Sequence, residues 1–366
     1  MRTIALLTPL LPLVASAQML VPTVITPLNT ALNETSGLVV LGGEVWTQLD
    51  SGNPNALYNI DPASGEILRT VTVMNATNVD WEDIAADDDW LYIGDFGNNG
   101  GDRINLRVYR VALTELLDPG TTEILADTIR FAYALQTDFT AAGNNNDWDC
   151  EAMIAVDDSL FLFSKNWVTN TSYLYALSAT PGDRLAERRD TIDAQGLITG
   201  ATYDPSNGAI ALVGYTDGLY LPFVWRFAGY PGHAFFQGIA QRNTLSSGIT
   251  QMEGIAWAAT ATVYLSNEQS ILNGARLWEL ALDLPTGIFT SPQATIQAWP
   301  SPNDGHFTVA VNDPSLLEIW DARGRTVWKQ ALGAGENAVQ ADTLATGLYT
   351  VRVGPAGSVF RIAIQR

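Results

Sequence analysis

Residues Asp80–Asn99 read DWEDIAADDDWLYIGDFGNN. Two apolar-rich segments flank a tight acidic turn, Asp87-Asp88-Asp89, and a polar loop opens at Asp95. Imperfect copies of this unit stand before and after it. One starts at Glu34-Thr35-Ser36-Gly37, one at Asp149-Cys150-Glu151, one at Ile198-Thr199-Gly200 and one at Gln251-Met252-Glu253. Each continues as short strands rich in β-branched and aromatic residues, punctuated by Gly, Pro and Asp turns. Self-similarity at a period of roughly 45 to 70 residues, with about four strands per copy, signals blades set around an axis. The expected fold is therefore all-β, a five-bladed β-propeller over residues 18–290. Six blades is the alternative, because Ala112–Asn146 is long enough to hide further strands. The fifth copy lacks a fourth strand, and the strand-like segment Val21–Leu28 is expected to supply it. That would also close a sheet edge.

The chain carries 19 basic and 39 acidic residues, a formal charge of −20. Phosphate-backbone binding needs a basic footprint, so nucleic acid is excluded as a partner. One cysteine, Cys150, rules out a disulfide within the chain. With only His233 and His306 present, a multi-histidine metal site is not expected. The N-terminus has a basic start, a short apolar run from Ile4 to Val14, and Ala15-Ser16-Ala17. This is the pattern of a signal peptide over residues 1–17, and no later segment is long and apolar enough to span a membrane. An exported protein is expected.

From about residue 296 the repeat stops. Alternating strands separated by glycine turns predict a small Ig-like β-sandwich over 296–366. Three motifs occur there in order: Pro300, Pro302, Gly305 and Phe307; then Asp321, Gly324 and Arg325; then Leu344, Gly347, Tyr349, Val351 and Val353. This segment resembles the type A C-terminal sorting domain of cargo of the type IX secretion system of Bacteroidetes. Ser301 stands where asparagine is usual. The resemblance implies a partnership with that secretion machinery and delivery to the cell surface or beyond it.

The first strands of a propeller line its channel. Glu34, Glu82, Glu151 and Glu253 are expected at equivalent positions there, with Thr199-Gly200 breaking the set. Converging carboxylates repel unless something offsets them. A hard cation such as Ca²⁺, which takes six to eight oxygen ligands, is one solution. Asp50, Asp80, Asp83, Asp95, Asp149 and Glu268 are placed to complete its shell. Lys165 and Arg103 are the alternative counter-charges, or contacts for an anion. Acids that cap their own blade are a third reading. The Asp50-x-Gly52-Asn53 and Asp95-x-Gly97-Asn98 loops are expected in the same place in two blades. Trp46, Trp81, Trp148 and Trp167 are expected near these strand ends, as pocket lining or blade packing. The DWEDIA and GDFGNN phrases loosely resemble secreted phytase-like and esterase-like propellers, which hold calcium with channel-mouth acids. Three functions follow: an extracellular ligand-binding scaffold, a calcium-dependent ester hydrolase, or a glycoside hydrolase using two channel carboxylates.

Overall fold

The computed structural model describes residues 19–283, 298–300, 303–311, 315–321, 325–353 and 358–366. The signal-peptide residues, Pro302 and Gly324 lie outside that set. The chain divides into two compact units, Met1–Ile288 and Phe289–Arg366.

The first unit is a five-bladed propeller. The inner strands of blades I to V are Thr35–Leu41, Trp81–Ala86, Cys150–Val156, Leu197–Asp204 and Met252–Ala259. Each packs against the inner strand of the blade before and after it, and the ring closes between blades V and I. Flanked on every side, the inner strand Cys150–Val156 is buried at all its positions. Such strands therefore read as apolar runs rather than alternating ones. Each is followed outward by antiparallel partners, for example Trp90–Asp95, Arg107–Ala112 and Asp127–Tyr133 in blade II.

Blade V is completed from the N-terminus, as expected: Thr23–Pro27 pairs antiparallel with Arg276–Ala281. The stretch that left six blades open contains no blade. It holds a one-turn helix, Leu113–Leu116, and a two-residue strand, Glu123–Ile124, that pairs parallel with the outer strand of blade I. The outer strands Gly182–Ile192 of blade III and Ile239–Thr244 of blade IV are more polar and escaped the sequence pattern. The first of them reaches past its own blade and pairs parallel with Asp127–Tyr133 of blade II. The outer strands of blades I, II and III are thus paired beyond their own blade, which removes exposed pairing surface there.

All five inner strands carry an irregularity of register near their start. It falls between Thr35 and Leu38, Trp81 and Asp83, Cys150 and Ala152, Ile198 and Gly200, and Met252 and Gly254. A bulge leaves one residue unpaired and re-aims its side chain. Here the repetition of the bulge sets the functional geometry.

The second unit is a sandwich of two antiparallel sheets. One contains Ala298–Trp299, His306–Val311 and Gly335–Gln340; the other Thr326–Leu332, Ser315–Trp320, Gly347–Val353 and Ser358–Ile364. Phe307, Leu344 and Val351 are buried in its core, and Tyr349 packs on that core. Gly305 has φ +106°, a left-handed conformation that favours glycine. Asp321 accepts from the backbone N–H of Arg325 at 3.0 Å and from its Nη2 at 2.7 Å. Pro300 lies exposed after the first strand, and Gly347 opens the strand that carries Tyr349.

Candidate site at the channel mouth

The bulges bring one residue per blade to the same level: Ser36, Glu82, Glu151, Thr199 and Glu253. Glu34 is not in this ring. It precedes the strand, is exposed, and accepts a hydrogen bond from Asn53 Nδ2 at 2.6 Å. Ser36 takes the place expected for it: Thr35 pairs with Leu49 as Trp81 pairs with Asp95, so Ser36 is level with Glu82. The two hydroxyl members clasp neighbouring blades. Ser36 Oγ donates to the Glu82 carbonyl, and Thr199 Oγ1 donates to the Met252 carbonyl at 2.6 Å.

A second ring follows from the ends of the second strands. Pairing of Thr35 with Leu49, Trp81 with Asp95, Cys150 with Ser164, Ile198 with Gly214 and Met252 with Asn267 makes Asp50, Phe96, Lys165, Tyr215 and Glu268 the next residues. The two Asp-x-Gly-Asn loops are therefore offset by one. Asp50 faces the channel mouth, whereas Asp95 occupies the place of Leu49. Asp95 is fully buried, accepts from the Asp80 N–H at 3.1 Å and from Arg103 Nη2 at 2.8 Å, and lies 3.5 Å from Arg107 Nε. Arg103 is spent on this loop, donating also to the Gly97 carbonyl at 2.6 Å; it reaches Asp80 only at 4.0 Å. Asp95 and Arg103 build the loop and do not line the cavity.

A cavity of about 200 Å³ sits between the two rings. Asp50, Asp80, Glu82, Glu151, Glu253 and Glu268 line it, with Lys165 as the one basic residue among the described residues. One oxygen each of Asp50, Asp80 and Glu82 lie within 4.8 Å of one another. Gly97 stands beside them, and a Cβ there would collide with the Glu82 and Asp80 carboxylates. The glycine of that loop thus makes room for the acids. Lys165 Nζ is 2.9 Å from Glu151 and lies over the rings of Trp167 at 4.9 Å and Tyr215 at 5.5 Å. It is already neutralised. Glu268 accepts from Gln251 Nε2 at 2.9 Å. Glu253 is 3 % exposed, and its Oε2 has no partner among the described residues.

Electrostatics follow from this crowding. Burial, then Asp50, raises the Asp80 carboxyl to about 7, against the pull of Arg103. Burial raises Glu253 to about 7, opposed by Lys165, and raises Glu268 to about 9 with help from Glu253 and Asp50. Burial and the Glu151 charge push Glu82 well above the carboxylate range. Burial pulls the Lys165 ammonium down, but Glu151, Tyr215 and Glu253 outweigh it and hold it protonated. Burial and mutual repulsion thus shift Asp80, Glu82, Glu253 and Glu268 toward their protonated forms.

Other expected residues are structural. Asp149 accepts from the N–H of Asn98 at 2.6 Å and from Trp167 Nε1 at 2.8 Å, so it ties blades II and III. Trp46 and Trp81 are fully buried blade packing, Trp148 lies on the core, and only Trp167 lines the cavity. Asp83 crosses the channel below the rings: its Oδ2 accepts from Met153 N at 2.8 Å and Ala201 N at 3.3 Å, in blades III and IV. Tyr215, Tyr220 and Gln251 also line the cavity and were not foreseen. Tyr215 is the last residue of the second strand of blade IV, Ala209–Tyr215.

The fold and this acid-lined mouth describe an all-β propeller carrying a second, sandwich unit. Residues 297–363 match the family described as the secretion system C-terminal sorting domain. The sandwich is a type IX sorting domain, and the protein is exported to the cell surface or secreted. Among the described residues, no helix is long and apolar enough to cross a membrane. No curated protein matches the chain. Among solved structures, PorZ, a surface component of the type IX secretion system of Porphyromonas gingivalis, is similar at 14% identity and TM-score 0.34. The match covers 91% of this chain and 45% of that one, so the chain spans under half its length. An exo-β-1,3-galactanase of Phanerochaete chrysosporium is similar at 10% identity and TM-score 0.43, over 94% and 99% of the two chains. A hypothetical protein from Leishmania major is similar at 12% identity and TM-score 0.41, over 71% and 89%.

Proposed function

We propose that this exported propeller is an extracellular ligand-binding scaffold that holds a hard divalent cation, Ca²⁺ in its extracellular setting, at the channel mouth. The observation that carries the reading is the oxygen cage of Asp50, Asp80 and Glu82, within 4.8 Å of one another, whose cationic neighbour Arg103 stands 4.0 Å from Asp80 and is held by Asp95. The donors fit the ion: all are carboxylate oxygens, the preference of Ca²⁺, and water or loop carbonyls complete a shell of six to eight. The unpartnered, buried Oε2 of Glu253 in the same cavity supports a missing counter-charge.

The scaffold reading is preferred over the two hydrolases on specific grounds. A cavity of about 200 Å³ is smaller than the ~300–1,000 Å³ typical of organic-ligand pockets, which suits a hydrated ion better than a sugar ring. A calcium-dependent phosphate or carboxylic ester hydrolase needs a free basic group to meet the anion. Lys165 is committed to Glu151 and Arg103 to Asp95.

The test is thermal unfolding of the full chain against CaCl₂ after chelation, in the parent and in Glu82→Gln and Asp80→Asn. Cation binding to the native state raises Tm by mass action, and each variant is expected to lose most of that rise. A parent Tm that does not move with Ca²⁺, Mg²⁺ or Mn²⁺ overturns the proposal.

A further inference from the structure

A second cavity, of about 710 Å³, opens where the inner strands end, on the far side of Asp83 from the acid cage. All five blades contribute to it. Its volume lies in the range of organic-ligand sites. Val39, Leu41, Ala86, Val156 and Ala256 give it apolar wall, with the aromatic rings of Trp90, Tyr203 and Trp257. The hairpins of blades II and III add Asp88, Asp89, Asp157 and Asp158, all exposed.

The polar groups here differ in what they have left to give. Asp87 is used up by its own hairpin: it accepts from the Asp89 and Trp90 N–H groups and from the Tyr92 hydroxyl at 2.6 Å. Asp157 meets His233 Nε2 at 2.9 Å. No donor reaches the carboxylates of Asp88, Asp89 or Asp158 among the described residues. Arg110, the basic residue of the cavity, is occupied by Asp127 at 2.9 Å, the Ala179 carbonyl at 3.2 Å and the Trp90 ring at 4.0 Å. Trp257 carries a buried indole N–H with no acceptor among the described residues.

We infer that this cavity binds a basic, extended polypeptide segment, independently of the cation at the opposite mouth. Apolar wall below an acidic rim matches an arginine or lysine side chain, whose aliphatic stem packs while its head stays among carboxylates. The flat aromatic faces suit a guanidinium. At about 710 Å³ the cavity has room for several side chains carried on one backbone, which a small organic cation of equal charge does not fill. The cavity therefore selects a peptide over a small organic cation of equal charge.

The test is titration of the full chain, in calcium-free buffer near 0.15 M salt, with a tetra-arginine peptide, its citrulline counterpart and spermidine. The arginine peptide is expected to bind at least tenfold more tightly than either. Asp88→Asn with Asp158→Asn is expected to weaken it by about tenfold. The charge-matched pair Glu115→Gln with Glu123→Gln, on exposed acids outside the cavity, is expected to leave it unchanged. Equal binding of arginine and citrulline peptides overturns the inference. So does equal loss in the two charge-matched pairs, which would mean attraction to overall charge alone. Spermidine that binds as tightly as the arginine peptide would overturn the peptide assignment.

Discussion

Lys165 is the residue whose loss the propeller should tolerate least. Its ammonium and the Glu151 carboxylate are each 5% exposed and 2.9 Å apart. Lys165→Met keeps most of the stem's packing and removes the charge. It leaves Glu151 buried beside Glu253 with nothing to offset either. Breaking one partner of a buried pair typically costs about 3–5 kcal/mol, because the survivor keeps its desolvation penalty without its partner. With a urea m-value of about 3 kcal/mol/M, the unfolding midpoint should fall by about 1 to 1.7 M at pH 8. Two comparisons identify the cause. Lys165→Met with Glu151→Gln should recover most of the loss, since no uncompensated charge then remains. At pH 5 the single variant should lose less, because Glu151, already raised by burial, takes up a proton instead. Urea unfolding followed by tryptophan fluorescence reads all of these. A single-variant loss below about 1 kcal/mol would place the pair among the weakly coupled surface ion pairs and refute the argument. An unrecovered double variant would attribute the loss to packing rather than charge.

Two further outcomes are expected. Gly97→Ala should displace the Glu82 and Asp80 carboxylates and weaken divalent-cation binding by about tenfold or more, a change of about 1.4 kcal/mol, read by calorimetric titration; unchanged affinity would show that the cage does not need this gap. In chelator, stability should fall as pH rises. Asp80 and Glu253 are held near 7 and Glu268 near 9 in the folded chain, so it holds more protons than the unfolded chain between about pH 4 and those values. Their contribution is complete below the unfolded pKa and is lost as pH climbs through the folded one. Saturating cation should flatten this fall, and matching Tm profiles with and without cation would count against the cage.

The blades were legible because their punctuation is chemical: Asp87 to Asp89 and Asp204-Pro205-Ser206-Asn207-Gly208 can only turn, and the apolar runs between them can only be strands. The closing strand at Thr23–Pro27 was legible as an unpaired segment facing a blade with a missing edge. The site was less legible, for one physical reason. Which residues stand level across blades is set by the register of strand pairing, Thr35 with Leu49 and Trp81 with Asp95, and an apolar pattern alone does not fix it. Sequence spacing therefore put Glu34 where Ser36 stands, and put Asp95 level with Asp50. Commitment of a side chain is equally invisible in sequence. Arg103 and Lys165 look alike as free cations, yet one clamps a loop and the other is held by Glu151. The outer strands Gly182–Ile192 and Ile239–Thr244 were hidden because half-solvated strands carry little apolar signal.

The pairing of Thr23–Pro27 with Arg276–Ala281 also sets an order of events. Blades I to IV are built mainly from hairpins between neighbours in sequence, and each can zip as soon as its own strands exist. The last seam joins segments about 250 residues apart, and closing a loop of that length costs about 5 kcal/mol in chain entropy. Until then blade V has a raw edge and the first strand has no partner. The propeller thus behaves as a clasp bracelet: its links form one by one, but the circle acquires its resistance to prying only when the two ends meet.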